Sequence, residues 1–211
     1  MSNAPELDLP ARATGRPHVT VVGYYGSAPE MNLENYMAMM RMVEELLVDD
    51  WKLDLGSIVW VANGGTWCSH LPCSLWRRHA GADAHKGMLV LPFEWSDLKA
   101  ATGRNATSGL LRSINGSHAE MTRRLREQDR HWMDSKAELE RMVTAGCEVL
   151  NRSSKAMQLE TLLQVTDYLV YMPYSKSDAE RNHGANLFEQ AECPKRCLPL
   201  DKFVKKYVAP H

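Results

Sequence analysis

The sequence predicts an α/β protein: a single Rossmann-like domain with a mostly parallel sheet and helices on both faces. Short apolar, β-branched runs alternate along the chain with longer segments of helical periodicity. Glycine-containing turns follow several of these runs, where a strand would pass into a helix. Strands that alternate with helices are joined by right-handed crossovers, and this alternation favours parallel pairing.

The first strand–helix unit begins at His18–Gly23, a β-branched run that ends in glycine and predicts a buried strand. After a loop that contains Gly26 and Ser27, Asn32 is suited to cap a helix that extends to about Val48. Apolar residues at helical spacing mark the inner face of this helix, namely Leu33, Tyr36, Met37, Met40, Val43 and Leu47.

The second unit repeats this pattern. Ser57–Ala62 predicts a strand, and the turn Asn63–Thr66 ends it. A helix is predicted over His70–His79, with Pro72 in its first turn, where the missing N–H has no cost. Gly81 is placed to end that helix.

A third strand is predicted over Gly87–Pro92. The segment Lys99–Ser117 is rich in Gly, Asn, Ser and Thr and has weak periodicity, so it predicts a long loop. In the helix predicted over Ser135–Ala145, Ser135 and Glu138 have the spacing of a capping box. The other predicted elements are a helix over Ser117–Arg130, a strand over Cys147–Leu150, a helix ending at about Val165, a strand over Tyr168–Met172, a helix over Ala185–Glu192 and an edge strand over Arg196–Leu200.

The composition is that of one globular domain. The chain has 211 residues, 44% of them hydrophobic and 24% charged, with a formal net charge of −1. This balance provides no global field for nucleic acid or an anionic membrane, and no run approaches the roughly 20 apolar residues of a membrane span. We expect residues 1–16 to be a flexible N-terminal segment and residues 17–211 to form the domain, with an insertion at about 99–145.

The five cysteines indicate a reduced, cytoplasmic protein, since their number is odd and the chain is not small. Cys68, His70 and Cys73, with His79 nearby, have a spacing that resembles a zinc site. The predicted helix would direct these side chains differently, whereas zinc needs four converging ligands. We therefore expect no metal and no cofactor.

The strand ends carry the best candidates for a binding site, because ligands of open parallel sheets bind beyond the carboxyl ends of the strands. Glycine lets the backbone approach an anion, and a following helix start supplies free N–H groups. These features predict a phosphate-binding site with the candidate residues Gly26, Ser27, Gly64, Gly65, Thr66 and Gly184. The alternative for Gly64 and Gly65 is a simple tight turn. Neither GxGxxG nor GxxxxGK[ST] occurs, so ordinary dinucleotide and P-loop sites are disfavoured.

Four further residues have two open interpretations each. Trp95 suits stacking on a base or packing in the core. Glu94 and Asp97 are candidate catalytic acid–base residues or ordinary solvated carboxylates. Arg152 is placed to bind an anion with its guanidinium fork or to form a surface ion pair.

Two helical segments suggest partners. The basic run from Arg123 to Arg130 could contact nucleic acid, but the neighbouring acidic residues favour a solvated helix face. The methionines between Met37 and Met42 favour core packing, with a homodimer interface as the alternative.

The order of these motifs resembles the SLOG superfamily, a Rossmann-like group that includes DNA-processing proteins and the "lonely guy" phosphoribohydrolases. The resemblance spans Val19–Leu200. It rests on Gly26-Ser27, Gly64-Gly65, Pro92 with Trp95, Asn151-Arg152 with Met157, Asp167 before the last long strand, and Gly184. It implies a nucleotide or nucleotide-like ligand held by Gly26, Ser27, Gly64, Gly65, Arg152 and Gly184.

The departures from that family bear on catalysis. The usual Arg-Asn pair is Asn151-Arg152 here, Gly184-Ala185 replaces Gly-Thr, and the Pro-Gly-Gly signature of the phosphoribohydrolases is absent. The leading hypothesis is therefore a sensor or sequestering protein for a nucleotide-like molecule. The alternatives are a hydrolase or transferase acting on an N-glycosidic or phosphoester bond, and a DNA-associated protein.

Overall fold

The computed structural model describes residues 15–24, 31–81, 83–100, 109–174 and 183–200. Its strands are β1 (His18–Gly23), β2 (Val59–Ala62), β3 (Gly87–Leu91), β4 (Glu148–Asn151), β5 (Tyr168–Met172) and β6 (Lys195–Cys197). They form one six-stranded sheet in the order β4-β3-β2-β1-β5-β6, and every pair is parallel. The predicted α/β class and parallel sheet are confirmed.

The helices cover both faces of this sheet. They are α1 (Leu33–Glu45), α2 (Leu71–His79), α3 (Trp95–Ala100), α4 (Gly109–Gln128), α5 (Ser135–Thr144), α6 (Lys155–Val165) and α7 (His183–Gln190). A π-helical turn, Leu46–Asp50, continues α1, and a 3₁₀ turn, Trp67–His70, precedes α2. Helices α1 to α5 contribute to the core on one face of the sheet, and α6 and α7 contribute to the core on the other. This is the doubly wound arrangement.

The central strands agree with the sequence prediction. β1 and β5 have the predicted bounds and pair in register from Val19–Tyr168 to Gly23–Met172. Both are buried along nearly their whole length. Because helices cover both faces of the sheet, such strands are continuous apolar runs, and this makes them conspicuous in the sequence.

Of the two predicted helix caps, the cap of α1 is confirmed and the cap of α5 is wrong. Asn32 Oδ1 accepts a hydrogen bond of 2.9 Å from the Asn35 N–H, as predicted for α1. The predicted capping box of α5 is wrong, since Asp134 is the cap and accepts from the N–H groups of the two residues after Ser135. Aspartate caps a helix as well as serine does. Ser135 and Glu138 are instead buried and bond to other helices.

The long loop predicted over Lys99–Ser117 is wrong in its described part. α3 extends to Ala100 and α4 begins at Gly109, while residues 101–108 lie outside the described ranges. Leu111 of α4 is buried, and Leu110 and Ile114 pack against the core. This burial outweighs the low helix propensity of the Gly, Asn and Ser residues around them.

Several predicted features fall on residues that the structure does not describe. Gly26 and Ser27 lie in the undescribed segment 25–30, and most of the predicted N-terminal segment, residues 1–14, is also undescribed. Among the described residues, no helix has the length and apolar character needed to cross a membrane.

Candidate functional site

A cavity of about 140 Å³ lies at the carboxyl ends of β1, β2 and β3. The chain proceeds outward from β1 to β4 and then returns to β5 beside β1. Helix α1, which follows β1, and helix α7, which follows β5, pack on opposite faces of the sheet. Because the chain leaves β1 and β5 toward opposite faces, a crevice remains between their carboxyl ends. Doubly wound proteins bind their ligands in this crevice.

The turn after β2 forms one side of the cavity, and Gly64, Gly65 and Thr66 all line it. Gly64 has φ +74°, and a Cβ at this position would lie 2.6 Å from a methyl group of Leu91. The positive φ favours glycine, and a Cβ would in addition displace the Leu91 side chain. Gly184 of α7 lines the same cavity. The structure therefore brings together four of the residues chosen from the sequence.

Several residues that line the cavity carry hydrogen-bond donors. Lys155 opens α6 and is the only charged residue among the described lining residues. It makes no ion pair with a described residue, and the positive end of the α6 dipole adds to its charge. The Gly64 N–H and the Ser69 hydroxyl have no hydrogen-bond partner among the described residues, although both residues are buried. The lining residues therefore carry donor groups that no described residue accepts from.

The remaining wall of the cavity is largely apolar. Leu110 and Ile114 of α4 contribute to it, together with Leu162 of α6 and Leu187 of α7. No described lining residue carries a carboxylate, an imidazole or a thiol. The described part of the cavity is thus suited to holding a molecule with an apolar moiety and an anionic group. It provides no carboxyl or imidazole acid–base catalyst.

The other predicted site residues lie off the cavity wall. Glu94 and Asp97 are exposed. Trp95 is half-buried against the core, and its main-chain N–H donates to Asn151 Oδ1 over 3.3 Å. The Arg152 Nε donates to Thr161 Oγ1 over 2.7 Å. None of these four predicted residues lines the described cavity.

Sequence reasoning missed Lys155, Ser69 and the residues of α4. Lys155 could have been found from the sequence. It is the first residue of α6, the helix that follows β4, and Ser154 before it is a typical helix cap. The α4 residues lie in the segment interpreted as a loop, so no local signal indicated a cavity wall there.

Behind the cavity lies a buried polar cluster centred on Glu138. Its carboxylate accepts hydrogen bonds from His70 Nε2 (2.8 Å), Ser74 Oγ (2.9 Å) and Arg77 Nε (2.6 Å). Burial lowers the pKa of His70, but the neighbouring Cys73 and Glu138 outweigh it and raise the pKa to about 10. Burial raises the pKa of Glu138, but His70 and Arg77 hold it below its ordinary value. The cluster is therefore an internal ion pair.

His118 connects this region to the glycine turn. Its Nε2 donates to the Gly64 carbonyl over 3.1 Å, and its Nδ1 lies 2.9 Å from Ser135 Oγ. Burial, followed by the positive charge of His70, lowers the pKa of His118 to about 3. The ring is thus neutral near pH 7, with its proton on Nε2.

This pKa predicts an acid-sensitive stability. The ordinary pKa of histidine is 6.5, so between pH 6.5 and about 3 the unfolded chain binds a proton that folded His118 does not bind. The free energy of unfolding therefore falls as the pH decreases through this range. In His118→Gln, which removes the titrating group, we expect a profile that is flatter by about 1 kcal/mol per pH unit between pH 4 and 6. Urea unfolding at successive pH values measures both slopes, and equal slopes would contradict the assignment.

The zinc spacing of Cys68, His70 and Cys73 and the nucleic-acid interpretation of the basic helix receive little geometric support among the described residues. Among the described residues, no group of three His, Cys, Asp or Glu could hold a metal ion, and Cys68 and Cys73 are buried. In the basic helix, Arg123 pairs with Glu120 and Glu127, and Arg124 pairs with Glu120. These pairs reduce the positive charge available to a nucleic acid.

Comparison with known proteins identified no relative. No protein-family model, curated protein or solved structure matched the chain. The fold and the cavity therefore define this chain only as a doubly wound α/β protein with a cavity at its switch point.

Proposed function

We propose that the protein binds a small phosphorylated molecule, a nucleotide or nucleotide derivative, and acts as a sensor or sequestering protein. One observation carries this proposal: Gly64, Gly65, Gly184 and Lys155, from different parts of the chain, line a single cavity at the strand ends. A phosphate is the ligand group that such an arrangement of glycine turns, helix starts and a cation recognises best.

The phosphate belongs at the Lys155 side of the cavity. Lys155 supplies a charge, the first turn of α6 supplies a positive dipole end, and the Gly64 N–H supplies a donor without a described acceptor. Hydrogen bonds in which one or both partners are charged are stronger than neutral ones.

The less polar part of the ligand belongs between α4 and the helices of the opposite face. Leu110, Ile114, Leu162 and Leu187 form the apolar wall there, and Ser113 and Ser117 add hydroxyl groups. The volume of about 140 Å³ is below the ~300–1,000 Å³ of a site that encloses a drug-sized ligand. The cavity therefore suits a base or another ring, with the phosphate at its rim.

Binding is favoured over hydrolysis because the described wall lacks an acid–base pair. Cleavage of an N-glycosidic or phosphoester bond needs a group that moves a proton at the reacting atoms. Glu94 and Asp97 are exposed and do not line the cavity. The resemblance to the SLOG superfamily points to the same class of ligand.

The test is calorimetric titration with the 5′-monophosphates of adenosine, guanosine, cytidine and uridine, together with mass spectrometry of small molecules that co-purify. We expect at least one mononucleotide to bind and to be recovered intact. Lys155→Ala should weaken its binding about tenfold or more, since the variant removes one charge-assisted contact.

Lys86→Ala is the matched control. Lys86 directly precedes β3, so it lies at the amino ends of the strands, whereas the cavity lies at their carboxyl ends. It pairs with Asp83, and its removal should leave the affinity unchanged. The proposal fails if no mononucleotide binds and no phosphorylated molecule co-purifies. Equal affinity in Lys155→Ala and the unsubstituted protein would remove Lys155 from the site.

A further inference from the structure

Three hydrogen bonds hold the main chain of the glycine turn. The Asn63 carbonyl accepts from Gln158 Nε2 over 2.8 Å, and the Gly64 carbonyl accepts from His118 Nε2 over 3.1 Å. The Gly65 N–H donates to Asn63 Oδ1 over 3.0 Å. Two successive peptide groups are thus fixed by side chains.

The two donor side chains come from opposite faces of the sheet. Gln158 is buried on α6 and also donates to the Val90 carbonyl over 2.6 Å, which ties the turn to the end of β3. His118 is buried on α4, beside the cavity-lining residue Ser117. The turn is therefore held between a helix of each layer.

Peptide geometry converts these contacts into control of the amide groups. In a trans peptide the C=O and N–H bonds point in opposite directions, and the described chain contains no cis peptide. The bond from Gln158 to the Asn63 carbonyl consequently sets the direction of the Gly64 N–H. The bond from His118 to the Gly64 carbonyl sets the direction of the Gly65 N–H in the same way.

We infer that Gln158 and His118 are positioning residues of the ligand site: Gln158 sets the direction of the Gly64 N–H that receives the ligand, and His118 fixes the next peptide group, so that the turn keeps this conformation. This inference rests on the proposed function. Each side chain acts through a main-chain carbonyl. Gln158 also lines the cavity and His118 does not, so the His118 variants test positioning without a contact to the ligand. Preorganised donors bind an anion better than mobile ones, because their orientation has no entropic cost at the time of binding.

The variants are chosen to separate positioning from mere stability. Gln158→Met and His118→Leu remove the donors at similar size. His118→Gln keeps a donor that can reach the Gly64 carbonyl, so it should rescue the effect. Gln164→Met changes an exposed residue of the same type on the same helix and is the matched control.

The first measurement is deuterium exchange of the Gly64 and Gly65 amides by NMR in the unliganded protein. We expect Gly65 to exchange about tenfold faster or more in Gln158→Met and His118→Leu, and to behave normally in His118→Gln and Gln164→Met. The second is calorimetric titration with a 5′-mononucleotide, for which the same two variants should lose about tenfold in affinity.

The inference is overturned if folded Gln158→Met and His118→Leu show normal Gly65 exchange, or altered exchange with undiminished mononucleotide affinity. If either variant fails to fold, the other carries the comparison. Asn63→Ala removes the acceptor of the Gly65 N–H but also a side chain that lines the cavity, so it is compared by its Gly65 exchange alone. Failure of the unsubstituted protein to bind any mononucleotide contradicts the proposed function instead. The exchange data then decide separately whether the two side chains hold the turn.

Discussion

Glu138→Ala should destabilise the protein by about 3–5 kcal/mol. The carboxylate is buried and accepts hydrogen bonds from His70, Ser74 and Arg77. Its removal leaves the positive charge of buried His70 without a counterion. It also leaves the buried Ser74 hydroxyl without this acceptor, and each loss has a cost in free energy.

Glu140→Ala is the matched control for this experiment. Glu140 is two residues further along α5 and pairs with Lys99, but both side chains are well exposed, so its loss should cost less than about 1 kcal/mol. Urea unfolding at pH 7 measures both variants. Similar free energies of unfolding for the two variants would show that the Glu138 cluster does not stabilise the fold.

Gly23→Ala should destabilise the protein by about 3 kcal/mol and abolish mononucleotide binding. A Cβ at this position would lie 2.1 Å from the Met172 carbonyl oxygen. Because Gly23 and Met172 are register partners, the clash is with the main chain of β5 and cannot be relieved by rotating a side chain. β1 and β5 would separate at the switch point, where Gly23 lines the cavity.

Gly116→Ala is the control, and we expect it to stabilise the protein rather than destabilise it. Gly116 lies within α4, is exposed, and a Cβ there would meet no atom within 4 Å. Alanine favours a helix over glycine, so we expect this variant to gain about 0.5–1 kcal/mol. Thermal unfolding and mononucleotide titration test both variants. Normal stability and affinity in Gly23→Ala would contradict the close approach of the two strands.

Much of the fold could be predicted because the central strands carry their signal locally. Each is a short apolar run, buried on both faces, that stands out from the amphipathic helices around it. The bounds of β1 and β5 and the cap of α1 by Asn32 followed from such patterns. The first half of α4, up to Ser117, could not be predicted, because its poor helix formers are held in place by burial against the core.

The candidate site was predicted only in part. Gly64, Gly65, Thr66 and Gly184 follow from the rule that ligands bind at strand ends, and the structure places all four on one cavity. The same rule was applied to Glu94, Trp95 and Arg152, which do not line the described cavity. Position along the chain identifies a strand end, but it does not say which side chains there face the crevice.

The sequence by itself determined the class of fold, the order of the strands along the chain, and the glycines that mark the strand ends, because these depend on neighbouring residues. Only the tertiary structure decided how the polar residues are used. Ser135 and Glu138 have the spacing of a local cap, but Glu138 binds His70, which is 68 residues away in the chain. His118 reaches Gly64 across 54 residues. Buried polar groups must be paired wherever a partner lies in space, and no local pattern records that distance.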